Sequence, residues 1–110
     1  MPGQFELLRG GVLLGLVTID AAEYDFPWTV GWLEPSAEYA TAEPLFIQWA
    51  QLLDTREKDN LWDDEEFDKA ETLLYERIMG PGIRMRSVPG GEISEVVGIT
   101  IEGRRVSWRE

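Results

Sequence analysis

Two segments with helical spacing of apolar residues lie between two sets of strand-like segments, and this order constrains the fold more than any other feature. A stripe at three- and four-residue spacing predicts a helix over residues 42–58, with Thr41 as its cap. A second stripe predicts a helix over residues 64–79, with Asp63 as its cap and a stop at Gly80, which suits the left-handed position after a helix. The centre of the chain is therefore a pair of helices.

Strand-like segments flank this pair on both sides. Gly10 and Gly11 join the first two segments and favour a hairpin, because both positions can take positive φ without steric cost. Grouped strands and helices are typical of an α+β fold. The sequence thus predicts one domain over residues 1–110, in which an antiparallel sheet of about six strands is covered on one face by the helix pair. The six predicted strands are three N-terminal segments (4–9, 12–19 and 29–34) and three C-terminal segments (83–88, 93–101 and 104–108).

The chemistry open to the chain is narrow, because its 110 residues contain no histidine and no cysteine. Histidine is the side chain that titrates near neutral pH, and cysteine supplies thiol nucleophiles, disulfides and zinc ligands. A serine–histidine triad is excluded. Paired carboxylates could still perform acid–base chemistry, as in glycosidases, but no pair stands out among 21 acidic residues. These facts favour a non-enzymatic protein and predict no cofactor.

The net charge of −11 bears on the partners. Nucleic-acid binding depends on lysine and arginine at phosphates, so nucleic acid and anionic lipid are not expected partners. The N-terminus lacks the basic region of a signal peptide. The longest nearly apolar stretch, residues 12–19, is shorter than the roughly 20 residues of a membrane-spanning helix. We therefore expect a cytoplasmic protein; the sequence leaves its oligomeric state open.

The acidity is concentrated at the junction of the two predicted helices. Between Glu57 and Glu71 there are eight acidic residues against Lys58 and Lys69. One explanation for this concentration of acids is that carboxylates stabilise the first turn of a helix and aid solubility. The other is a docking surface for a basic protein, whose approach a negative field accelerates. The candidate partner-binding acids are Asp59, Asp63, Asp64, Glu65 and Glu66.

An aromatic segment in the connection before the third strand offers a second candidate surface. Asp25, Trp28 and Trp32 could form a binding edge, since aromatic side chains bury large areas at little entropic cost, although the rings could equally fill the core. The order of an N-terminal hairpin and an Asp-Phe-Pro-Trp segment, within residues 5–35, resembles a pattern in small uncharacterised bacterial domains. That resemblance implies no activity.

A divalent-metal site is the alternative interpretation of the acidic segment, because calcium and magnesium prefer oxygen ligands. An EF-hand loop beginning at Asp59 would place Leu61 at a ligand position and Asp64 at the glycine position, so the spacing does not match. The alternative function is a metal- or small-ligand-binding domain with hydrolase activity. Its oxygen donors would be Asp25, Asp63 and Asp64.

Arginines dominate the C-terminal third and could clamp a carboxylate or phosphate. Arg84 and Arg86 share one face of a strand, and we expect them to pair with neighbouring acids instead. The leading hypothesis is a non-enzymatic interaction domain of immunity or inhibitor type. The arginines of this group are Arg84, Arg86, Arg104, Arg105 and Arg109.

Overall fold

The computed structural model describes residues 3–23, 27–61, 63–89 and 91–110. Its described elements are two helices and a seven-stranded antiparallel sheet, which confirms the predicted α+β class. Neither described helix has the length and apolar character to cross a membrane. In chain order the elements are β1 (Gln4–Arg9), β2 (Val12–Ile19), β3 (Thr29–Pro35), α1 (Tyr39–Asp59), α2 (Glu65–Met79), β4 (Ile83–Val88), β5 (Ile93–Glu95), β6 (Gly98–Glu102) and β7 (Arg105–Arg109).

The prediction of about six strands is one short, because the predicted strand over residues 93–101 is divided into β5 and β6. These two strands lie at opposite ends of the sheet, whose order is β5-β4-β1-β2-β3-β7-β6. The break falls at a corner of two residues: the Val96 amide donates to the Ile83 carbonyl, whereas the Val97 amide donates to the Arg109 carbonyl. The chain leaves one end of the sheet there and joins the other.

This corner requires a strongly curled sheet. The three peptide units from Glu95 to Gly98 span at most about 11 Å, since consecutive Cα atoms are about 3.8 Å apart. In a flat sheet, six strand spacings of about 4.8 Å would separate β5 from β6 by roughly 29 Å. The two ends of the sheet must therefore bend toward each other, and the inner face becomes concave.

The main core fills this concave face, and the two helices cover it. Strand residues such as Leu7, Val17 and Trp108 are almost fully buried, as is Phe46 of α1. Phe5 packs edge-on against Trp108, with ring centroids 6.2 Å apart. The buried helix residues are Tyr39, Ala42 and Phe46 of α1 and Leu74 and Ile78 of α2.

Helix α1 begins at Tyr39, earlier than the predicted start at residue 42, so the prediction of Thr41 as its cap is wrong. The N-cap is Glu38, which makes no side-chain capping bond, and Pro44 lies inside the helix. Tyr39 is only 5% exposed and contacts Phe46, with ring centroids 6.1 Å apart. Burial of this extra turn against the core explains the earlier start, because tertiary packing outweighs local capping preference.

Helix α2 is capped by Asp64 and not, as predicted, by Asp63: an Asp64 carboxylate oxygen accepts from the Phe67 amide at 2.9 Å. The predicted left-handed conformation at Gly80 is also wrong. Gly80 is right-handed, with φ −55°, and the left-handed residue is Gly82, with φ +89°. The backbone thus keeps helical angles at Gly80. The residue with positive φ, at which the chain turns toward β4, is Gly82.

Candidate functional site

The acidic tip, defined as the described residues 57–61 and 63–66, lies where the helix pair turns. Asn60 ends α1 in the left-handed conformation, with φ 52° and ψ 50°, and the Leu61 amide donates to the Arg56 carbonyl at 3.0 Å. The Asp64 amide donates to the Leu61 carbonyl at 3.3 Å, which keeps the turn compact. The turn thus brings the predicted acids together at one end of the helix pair. Those acids, Asp59, Asp63, Asp64, Glu65 and Glu66, are all exposed.

Two cations in the last turn of α1, Arg56 and Lys58, are paired with acids outside the tip. The Arg56 guanidinium bonds to Asp68 at 3.1 Å and also contacts Glu71, and it lies 5.2 Å from the centroid of the Phe67 ring. Lys58 pairs with Asp54 at 2.9 Å, and this hydrogen bond raises the pKa of the lysine. The charge of Asp59 makes a smaller contribution to the raised pKa of Lys58.

Helix dipoles explain only part of the acidity at the tip. Asp64 caps α2, and Glu65 and Glu66 lie in its first turn, where the partial positive charge of the helix end favours carboxylates. Glu57 and Asp59 lie in the last turn of α1, where the helix end carries partial negative charge. These two carboxylates are exposed and form no ion pair with a described residue.

The metal alternative requires several acids that converge. Among the described residues, no group of three or more acids lies close enough to hold a metal ion. Asp25, which the alternative places beside Asp63 and Asp64, lies outside the described residues.

Trp32, one of the two predicted tryptophans, lies on the outer face of β3 and is 48% exposed. Its indole N–H donates to an Asp20 carboxylate oxygen at 2.8 Å. This bond, followed by one from the Ala22 amide, lowers the pKa of Asp20. Arg105, the register partner of Trp32 on β7, pairs with Glu23 at 3.0 Å. The neighbouring charges are thus satisfied locally, and the Trp32 ring is held in place.

Trp28, the other predicted tryptophan, occupies a different position. It is partly buried, lies outside the main core and packs on Gly98 at the start of β6. A Cβ atom added at Gly98 would lie 3.3 Å from the Trp28 ring, so the glycine admits this ring close to the strand. The Arg109 guanidinium lies over the Trp28 ring, with its Cζ 6.0 Å from the ring centroid.

A cleft lies beside Trp28 and is lined by residues of both helices and of β6. Trp49 of α1 and Tyr75 of α2 form one wall of it, with ring centroids 5.9 Å apart and planes at 51°. The Tyr75 hydroxyl donates to the Val97 carbonyl at 2.8 Å, which fixes this wall to the corner between β5 and β6. The volume is about 290 Å³. We call this the aromatic cleft; its lining is Trp28, Trp49, Leu53, Tyr75, Val97, Gly98, Ile99, Thr100 and Arg109.

Sequence reasoning did not identify the aromatic cleft. Trp49 falls in the middle of the apolar stripe of the first predicted helix, which indicates burial, and Arg109 is only one of several arginines in the C-terminal third. No local signal in the sequence connects these residues with Tyr75. The prediction that Arg84 and Arg86 pair with acids is confirmed: their partners are Glu95 at 3.9 Å and Glu6 at 2.9 Å.

Comparison of the chain with protein-family models, curated proteins and solved structures found no match.

Proposed function

We propose that this protein is a non-enzymatic interaction domain that binds a basic protein through the acidic tip. The observation that carries the proposal is the placement of Glu57 and Asp59 at the negative end of α1, exposed and without an ion pair among the described residues. The basic residues of the last turn of α1, Arg56 and Lys58, form their ion pairs with Asp68, Glu71 and Asp54. Glu57 and Asp59 are therefore open to ion pairs with a cationic partner.

The charges on the other side of the turn extend the same surface. Asp63, Glu65 and Glu66 are exposed, and no described residue forms an ion pair with them. The net charge of −11 adds a longer-range field of the same sign. Such a field attracts a basic partner before contact and accelerates the encounter. Immunity and inhibitor proteins that neutralise basic macromolecules depend on this kind of attraction, and the proposal assigns the chain to that functional class.

The absence of histidine and cysteine supports a binding role over catalysis. The repulsion between a net charge of −11 and phosphate supports a protein partner over a nucleic acid.

The test uses two variants with equal changes in charge. The tip variant carries Glu57→Gln, Asp59→Asn, Asp63→Asn and Glu66→Gln, and it keeps Asp64 because that residue caps α2. The control variant neutralises four acids elsewhere that are exposed and form no ion pair with a described residue: Glu34, Glu43, Glu92 and Glu110, each changed to Gln.

A partner is first captured with the wild-type protein at low salt, and its association rate is then measured by surface-capture kinetics. We expect the tip variant to associate at least tenfold more slowly than the control variant, because charge at the contact affects the encounter more than dispersed charge does. The wild-type rate should fall as salt shortens the screening length from about 10 Å at 0.1 M to about 3 Å at 1 M. Equal rates for the two variants would refute the role of the tip.

A further inference from the structure

The aromatic cleft has the shape and lining of a small-ligand site. Three aromatic rings from distant parts of the chain face one space: Trp28 before β3, Trp49 on α1 and Tyr75 on α2. Trp28 and Trp49 are partly buried, and Tyr75 is held by its hydrogen bond to Val97. Ligand pockets in proteins are typically apolar and aromatic, with a few polar groups that orient the ligand. The cleft has this composition.

The charge of the lining indicates which charge the ligand should carry. Among the described residues of the lining, Arg109 is the only charged one, although the chain as a whole has about twice as many acids as bases. Arg109 forms no ion pair with a described carboxylate; its guanidinium lies over the Trp28 ring instead. Three aromatic rings could also surround an organic cation. Arg109 would repel that cation, and the described part of the lining contains no acid to compensate, so the charge favours an anionic ligand.

The size of the cleft limits the ligand further. A volume of about 290 Å³ lies at the lower end of the range of roughly 300 to 1,000 Å³ that is typical of ligand pockets. It suits one or two fused rings and is small for a nucleotide. An extended peptide strand is not favoured either, because α1 packs along β6 beside the cleft.

We propose that the aromatic cleft binds a small aromatic monocarboxylate. The ring of the ligand lies between Trp28 and the pair formed by Trp49 and Tyr75, and its carboxylate pairs with the guanidinium of Arg109. Arginine suits this role because its planar fork matches both oxygens of a carboxylate while its face stacks on an aromatic ring. Thr100 and Tyr75 of the lining also carry hydroxyl groups, and that of Tyr75 is bonded to the Val97 carbonyl. This site is independent of the acidic tip.

Phenylacetate is the probe for the experiment, because it carries one ring and one carboxylate. Binding is followed by NMR through the indole N–H signals of the tryptophans, which are assigned with single Trp→Phe variants. We expect saturable shifts of the Trp28 and Trp49 signals, with a Kd of about 1 mM or tighter, and little change for Trp108, which is 1% exposed in the core.

Two matched variants test the role of Arg109. Arg109→Gln should weaken phenylacetate binding about tenfold or more, since it removes a charge-assisted hydrogen bond. Arg104→Gln makes the same change in charge at an exposed arginine outside the cleft, and it should leave the Kd within about twofold. Both side chains are exposed, so we expect both variants to fold, and their spectra check this.

Further probes separate the alternatives. Benzyl alcohol has the ring without the charge, acetate has the charge without the ring, and both should bind more weakly than phenylacetate. Shifts of Trp28 and Trp49 by tetramethylammonium and not by phenylacetate would overturn the proposal in favour of an aromatic cage for cations. Equal weakening by Arg104→Gln and Arg109→Gln, or no saturable shift with phenylacetate, would also overturn it.

Discussion

The Tyr75 hydroxyl donates a hydrogen bond to the Val97 carbonyl, with 2.8 Å between the two oxygen atoms. The bond joins α2 to the corner at which the chain passes from β5, at one end of the sheet, to β6, at the other. It holds two features in place: the corner between β5 and β6, and one wall of the aromatic cleft.

We expect Tyr75→Phe to lower the free energy of unfolding by about 1 kcal/mol, because the ring remains and only one hydrogen bond is lost. Urea unfolding measures this change. Leu73→Ala is the control on the same helix: Leu73 is 63% exposed, so its loss should change the stability by no more than about 0.5 kcal/mol. Equal effects of the two substitutions would show that the hydroxyl does not stabilise the corner.

The second prediction distinguishes two adjacent aspartates. Asp64→Ala should destabilise the protein by about 1 kcal/mol, because its carboxylate accepts from the Phe67 amide at the start of α2. Asp63→Ala removes the same charge from the same exposed turn without removing this bond, and its effect should be several times smaller. Thermal unfolding of the two variants decides between the residues. A larger loss for Asp63→Ala would mean that the cap lies there.

The third prediction compares two tryptophans. Trp108 is 1% exposed and packs against Phe5, so Trp108→Ala should cost about 3 to 5 kcal/mol. Trp28 is partly buried outside the main core, so Trp28→Ala should cost less than half as much. Chemical unfolding of both variants tests this order. A Trp28→Ala protein as unstable as Trp108→Ala would assign Trp28 to the core.

The fourth prediction concerns the pH dependence of stability. Burial, with a smaller contribution from the charge of Glu43, raises the pKa of Tyr39 from 10.0 to about 12. In the unfolded chain the phenol ionises near its usual pKa of about 10. Ionisation therefore has no effect on stability below about pH 10 and favours the unfolded state increasingly as the pH rises from 10 toward 12.

Tyr39→Phe has no phenol to ionise and should lack this component of alkaline destabilisation. The measurement is the difference in unfolding free energy between wild type and Tyr39→Phe as a function of pH, which cancels the titration of the other groups. We expect the difference to be constant below pH 10 and to shift in favour of Tyr39→Phe above it. A constant difference up to pH 12 would contradict the raised pKa of Tyr39.

The sequence by itself determined the features that depend on neighbouring residues. Apolar spacing indicated both helices, alternation indicated the strands, and Gly10 and Gly11 indicated the first turn, where their φ angles are 57° and 81°. The order of these elements was enough for the α+β class. The accumulation of acids between Glu57 and Glu66 could also be found by counting, because a charge on a solvated turn needs no partner from elsewhere in the chain.

Tertiary structure decided the features that depend on residues far apart. Local pattern indicated one strand over residues 93–101, and only the curl of the sheet divides it, since its first part pairs with β4 and its second with β7. Helix α1 begins earlier than the sequence predicts because Tyr39 is buried against the core. The aromatic cleft combines Trp28, Trp49 and Arg109, which lie 21 and 60 residues apart in sequence. A local sequence pattern cannot predict that these residues lie together, because their proximity depends on how the helix pair packs across the curled sheet.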